Sequence, residues 1–113
     1  MTDLIIDVQK IETMNEKIIK QITLQFFPNC IILLFGSRVR HEHTDDSDYD
    51  LLIITPNELS SHEKMEYKAK IRKLLARAKI PVDILIESNS EIVTKKNITG
   101  HIVKQALKEG IQI

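Results

Sequence analysis

Two aspartates, Asp48 and Asp50, stand two residues apart at the head of the apolar run Leu51-Leu52-Ile53-Ile54. Successive strand side chains point to opposite faces, so residues two apart share one, their Cα atoms roughly 6.5 Å apart at the strand rise. Carboxylates facing the same way repel each other unless a cation sits between them. A hard divalent ion with oxygen ligands, Mg²⁺ above all, suits such a pair. A third aspartate, Asp83, lies in Val82-Asp83-Ile84-Leu85-Ile86, among neighbours inhospitable to a lone charge. Taken singly, Asp48 and Asp50 could be strand-entry residues bonded to turn amides, and Asp83 half of a buried ion pair. Aspartate is disfavoured in strands, however, and three such choices on strands able to be neighbours point to a shared cation. Two ions roughly 4 Å apart, held by three carboxylates, can clamp an in-line displacement at phosphorus. Asp83 is the candidate for the ion nearest the attacking hydroxyl and for general base.

Gly36-Ser37 comes directly after the apolar run Ile31-Ile32-Leu33-Leu34-Phe35, with ten residues between it and Asp48. Glycine lets the backbone approach a phosphate with no Cβ in the way, and turn N–H groups are natural anion donors. The Ser37 hydroxyl and N–H can donate to a β- or γ-phosphate. Arg38 and Arg40 are either solvated surface or a planar fork for phosphate oxygens. His41-Glu42-His43 lacks the further histidine or cysteine that a tetrahedral zinc site needs. Asp45 and Asp46 read as solvated loop acids, and Tyr49, pointing away from its aspartate neighbours, as structural. Cys30 cannot form an intrachain disulfide, being the single cysteine, and reads as a small buried apolar residue.

These residues need a sheet to carry them. Cys30 to Phe35 is apolar on both faces, as a central strand is. Asp48 to Thr55 forms a second strand, closed by Pro56-Asn57, and Val82 to Ile86 a third after Pro81. The spacing predicts a helix over residues 1–27, starting near Thr2 or Asp7, with Ile11, Met14, Ile18, Ile22 and Phe26 as its stripe. Pro28-Asn29 ends it. Ser60 and Glu63 have capping-box form, opening a helix to about Lys79 with Tyr67, Ile71, Leu74, Leu75 and Ala78 on one face. Residues 88–97 are ambiguous, with room for a short helix from Ser90. A last helix covers about Ile98 to Lys108, with Ile98, Ile102, Val103, Ala106 and Leu107 inward. Gly110 stops it, leaving Ile111-Gln112-Ile113 as a tail or short edge strand. The order α-β-β-α-β-α is that of an α/β domain, a small sheet packed against helices.

At 113 residues the chain makes one domain, 1–113, with no room for a separate substrate-binding lobe. Sixteen basic residues balance sixteen acidic ones, which argues against a protein that coats nucleic acid. No apolar run approaches the roughly 20 residues that cross a bilayer. The expected location is the cytoplasm.

Gly36-Ser37, ten residues, then Asp48-x-Asp50, followed by Asp83 in a later strand, resembles the signature of the minimal nucleotidyltransferases of the polymerase-β-like superfamily. The wording Ser47-Asp48-Tyr49-Asp50-Leu51-Leu52, Arg38 after the serine and the Glu109-Gly110 ending agree, so the resemblance covers nearly the whole chain. It implies a nucleotidyltransferase fold with a mixed sheet, and Mg²⁺-dependent transfer of a nucleoside monophosphate from a triphosphate such as ATP. Asp48, Asp50 and Asp83 match the family's metal-binding and catalytic carboxylates, and Gly36 and Ser37 its phosphate turn. Stand-alone domains of this size are commonly encoded beside a HEPN toxin, a ribonuclease, and act as its antitoxin by transferring AMP to a tyrosine. Relatives often have glycine where this chain has His41, and proline at Asp46. The chain has metal and triphosphate machinery but no spare surface domain, so the acceptor must bring its own. Two other functions fit the same residues: an antitoxin that neutralises by binding alone, and one subunit of an antibiotic-type nucleotidyltransferase.

Overall fold

Thr13 opens the first helix. Its hydroxyl accepts from the Glu16 N–H at 3.1 Å while the Glu16 carboxylate accepts from the Thr13 N–H at 3.3 Å. This reciprocal capping box satisfies two donors that a helix start leaves open. The helix, α1, runs Met14–Phe26 in this computed structural model, which describes residues 12–113. The predicted start at Thr2 or Asp7, and Ile11, lie outside the described residues. The stripe is also turned from the predicted one: Ile19 and Thr23 are fully buried, whereas Met14 is 70% exposed. Ile18, Ile22 and Phe26 flank the buried line instead. A stripe chosen by hydrophobicity passes over a threonine.

The strands are β1 (Ile31–Phe35), β2 (Tyr49–Thr55), β3 (Val82–Ser88) and the two-residue β4 (Ile111–Gln112). Their order is β3-β2-β1-β4, which puts the two most apolar strands inside. β1 pairs antiparallel with both β2 and β4, while β2 and β3 run parallel, so the sheet is mixed as expected. The parallel pair needs a crossover, and α2 (Ser61–Arg77), capped by Ser60 and Glu63, supplies it.

Helices α1 and α2 cover one face, burying Ile19, Ile71 and Leu75 against Leu34, Leu51, Ile53 and Ile84. On α2, Ile71 and Leu75 are buried, Tyr67 and Leu74 half-buried, and Ala78, just past the end, is exposed. The opposite face carries Phe35, Leu52 and Ile54 under Ala106. That cover comes from α3 (Asn89–Lys95) and α4 (Ile102–Glu109). Helix α4 starts four residues later than predicted, with His101 Nδ1 accepting from the Val103 N–H at 3.1 Å. Ile98 and Ile102 are thereby left 45% and 42% exposed rather than packed inward. Helix α3 resolves the ambiguous segment, and Ile111-Gln112 forms the edge strand. Cys30 is half-buried rather than fully buried, and its burial pushes the thiol up, which removes thiolate character.

Candidate active site

The loop between β1 and β2 gathers the site. Gly36 follows β1 at φ +78°, a conformation glycine adopts without strain, and begins one turn of 3₁₀ helix over Gly36–Arg38. A Cβ on Gly36 would collide with the Asp50 carboxylate, so the turn is seated directly on that group. Further along, His41 sits at φ +60°, the left-handed region that glycine enters freely.

Asp50 on β2 is the register partner of Asp83 on β3, and adjacent partners in a sheet project to one side. The Asp50 carboxyl is held above the usual range, first by burial and then by the charges of Asp83 and Asp48. Glu109 adds to that push and Arg40 opposes it. Among the described residues none of the three aspartates is in an ion pair. Asp83 is exposed, not buried as its apolar neighbours suggested. It lies near the start of an edge strand, where alternation turns Val82 and Ile84 to the core and Asp83 outward. Asp48 is exposed too, one residue before β2.

No three His, Cys, Asp or Glu side chains among the described residues form a ready-made metal set. The donor chemistry nevertheless fits magnesium. The groups are all oxygen, in no ion pair among the described residues, and close enough for the charges of Asp83 and Asp48 to act on Asp50. Magnesium uses one or two carboxylates plus substrate phosphates and water rather than an all-protein cage.

The turn at Gly36-Ser37 departs from expectation at two places. The Gly36 N–H is not free for a phosphate: it donates to Glu109 Oε1 at 3.0 Å. Arg38 does not face an open phosphate site. Its Nη2 donates to the Ser47 carbonyl at 2.8 Å, and its guanidinium lies 4.1 Å from the Tyr49 ring centroid. Its Nε is buried with no partner among the described residues. Arg38 thus ties the two ends of the loop together through Tyr49, whose hydroxyl accepts from Asn15 of α1 at 3.2 Å. Ser37 remains half-buried in the turn. Arg40 pairs with Glu42 at 2.8 Å and with Glu109 at 2.9 Å. Glu109 had been visible only as part of an ending; 73 residues separate it from Gly36, and no local signal joins them.

Beside Asp48 and Asp83 opens a cavity of about 360 Å³, walled by Arg72 and Ala76 of α2 and by Pro81. A second cavity, about 230 Å³, lies at the other end of β1 and β2 between Phe27, Cys30 and Tyr67. No charged side chain among the described residues lines it. The first cavity is the one that adjoins the chemistry.

The chain and its mixed sheet have relatives among known proteins. A family model described as "Polymerase beta, Nucleotidyltransferase" matches residues 16–113. The chain belongs to that nucleotidyltransferase family. It is 32% identical over 82 residues to a Methanocaldococcus jannaschii protein described as "Putative protein adenylyltransferase MJ0141", covering 73% of this chain and 76% of that one. Among solved structures it resembles, at TM-score 0.54 and 20% identity, the complex of a tri-AMPylated Shewanella oneidensis HEPN toxin with its MNT antitoxin. That match covers 87% of this chain and 67% of the other. A toxin-antitoxin structure with AMP-PNP is similar at TM-score 0.55 and 22% identity, covering 88% and 72%. At such identities these structures speak for the fold.

Proposed function

We propose that this chain transfers AMP from ATP to a hydroxyl, that of a tyrosine, on a HEPN-type partner, releasing pyrophosphate, and so acts in the cytoplasm as that partner's antitoxin. The observation that carries this reading is the parallel pairing of Asp50 with Asp83 beside the Gly36 turn, with Asp48, Asp50 and Asp83 in no ion pair among the described residues. A relative described as a protein adenylyltransferase supports the protein acceptor, and the toxin-antitoxin complexes of like fold support the kind of partner. Asp48, Asp50 and Asp83 would hold magnesium, two ions on this reading, which offsets triphosphate charge and favours the alkoxide form of the acceptor. The Ser37 hydroxyl and the amides of its turn donate to phosphate oxygens. Asp83, on the open edge strand, takes the acceptor's proton, and the cavity beside it gives the acceptor side chain a place to enter.

The test is incubation of the pure protein and its genomic-neighbour protein with Mg²⁺ and α-labelled ATP. Label on the partner is expected; none, with both proteins folded, would count decisively against the reading. Antitoxin action by binding alone is favoured by one observation, the lack of a ready-made metal set among the described residues. Asp48→Asn with Asp50→Asn separates the two: protection that survives the double change means binding, and protection that is lost means transfer.

A further inference from the structure

Glu109 ends α4 and is fixed from both sides. Before it, Val103 and Ala106 are fully buried; after it, Ile111-Gln112 pairs with Leu34 and Leu33. The Gly110 N–H also bonds back to the Ala106 carbonyl at 2.8 Å, so the corner between helix and strand is closed. From that corner one carboxylate reaches three donors. Oε1 accepts from the Gly36 N–H at 3.0 Å, from Arg40 Nη1 at 2.9 Å and from Gln105 Nε2 at 3.1 Å. Oε2 takes a further bond from Arg40 at 3.1 Å. These bonds hold the Glu109 carboxyl below the usual range although burial pushes it up.

Two roles are conceivable for an anion at that amide. It could be a stand-in that an incoming phosphate displaces, or a permanent brace. Gly36 is buried, and a buried N–H needs a lasting partner. Displacement would break three donor contacts at once, and Arg40 already neutralises the carboxylate. Gly36, in turn, is the residue pressed against Asp50.

We propose that Glu109 is a positioning residue for nucleotide binding: by clasping the Gly36 amide it holds the turn against Asp50, in the shape that receives the phosphates. The inference rests on the nucleotide-binding half of the function proposed above and not on the identity of the acceptor. Preorganisation of a loop shows mainly as affinity, because the ordering is complete before the ligand arrives.

The experiment compares Glu109→Ala, Glu109→Gln and Arg40→Ala in the full chain, with Mg²⁺ and the analogue AMP-PNP as probe. Glu109→Ala is expected to raise the analogue Kd, and the KM for ATP where transfer is measured, about tenfold, on the order of one lost charge-assisted bond. Glu109→Gln, whose amide oxygen can still accept from Gly36, should stay within about threefold of the parent. Hydrogen exchange of the Gly36 amide, without nucleotide, should quicken in Glu109→Ala and stay slow in Glu109→Gln. Arg40→Ala removes two of the bonds that fix Glu109 but keeps the acceptor for Gly36, and should quicken exchange of that amide less than Glu109→Ala does. A merely structural contribution would lower melting temperature and the active fraction, hence kcat, at constant KM. Unchanged or tighter analogue binding in Glu109→Ala would overturn the proposal, as would Glu109→Gln behaving like Glu109→Ala. If the parent chain binds analogue but labels no partner, the transfer reading fails while amide exchange and analogue binding still decide the brace.

Discussion

Asp50 and Asp83 are direct neighbours on parallel strands, and the Gly36 turn bears on Asp50 as well. Asp50 therefore lies between the turn that would hold the phosphates and the aspartate that lines the cavity proposed for the acceptor. Replacing it by asparagine keeps the shape and removes the charge. Asp50→Asn should cut label transfer about 100- to 1,000-fold, the size of losing one aligned electrostatic group, as measured by initial rates with labelled ATP.

The same substitution should make the protein more stable. Burial and the Asp83 and Asp48 charges raise the Asp50 carboxyl above 3.8, so the folded state binds its proton more tightly than the unfolded chain. Stability is then lost as pH rises through the folded value. Asp50→Asn should melt about 1 to 4 °C higher at neutral pH, and the gap should close as pH falls toward 3.8. Glu109 has the opposite sign: its contribution is complete above 4.5 and disappears as pH falls through its lowered folded value. Thermal melts of parent and variants across pH check both.

Gly36→Ala combines a side chain at φ +78° with a collision against Asp50. The conformation alone costs about 1–2 kcal/mol. We expect at least that loss of stability by urea unfolding, together with loss of transfer.

Arg38→Ala should cost about 1–3 kcal/mol of stability, because it removes a charged donor from the Ser47 carbonyl and a cation from the face of Tyr49. Arg38→Lys should not restore it, since an ammonium cannot both stack on a ring and reach sideways. The KM for ATP should stay at the parent value in whatever fraction is folded. A raised KM would return Arg38 to the nucleotide.

The rotated stripe of α1 is open to a direct check. Ile19→Ala should destabilise by about 2–5 kcal/mol, and Met14→Ala, at a site 70% exposed, by no more than about 0.5 kcal/mol in urea unfolding.

Strands and crossover were legible because their apolar runs are bounded by Pro28, Gly36, Pro56 and Pro81. So were the aspartates, since a charge in an apolar strand is conspicuous whatever the fold. Helix boundaries were less so. Met14 and Ile98 look like core residues in any hydrophobicity count, but Thr13 and His101 cap the helices so that both face solvent. Asp83 was rightly placed on its strand and wrongly thought buried, because the order of strands, which makes β3 an edge, is a property of the whole sheet. The inward commitment of Arg38 and the reach of Glu109 depend on distant partners and leave no trace in local pattern.

The bond between Gly36 and Glu109 spans 73 residues. A chain emerging from the ribosome has all three aspartates and the turn long before it has α4, and closing so long a loop must wait for that helix to dock. On the proposed role of Glu109, nucleotide-binding competence would therefore be gained only once α4 has been made and docked, as a single event. A truncation that removes residues 109–113 would leave every catalytic candidate in place on a turn whose Gly36 amide has lost its partner.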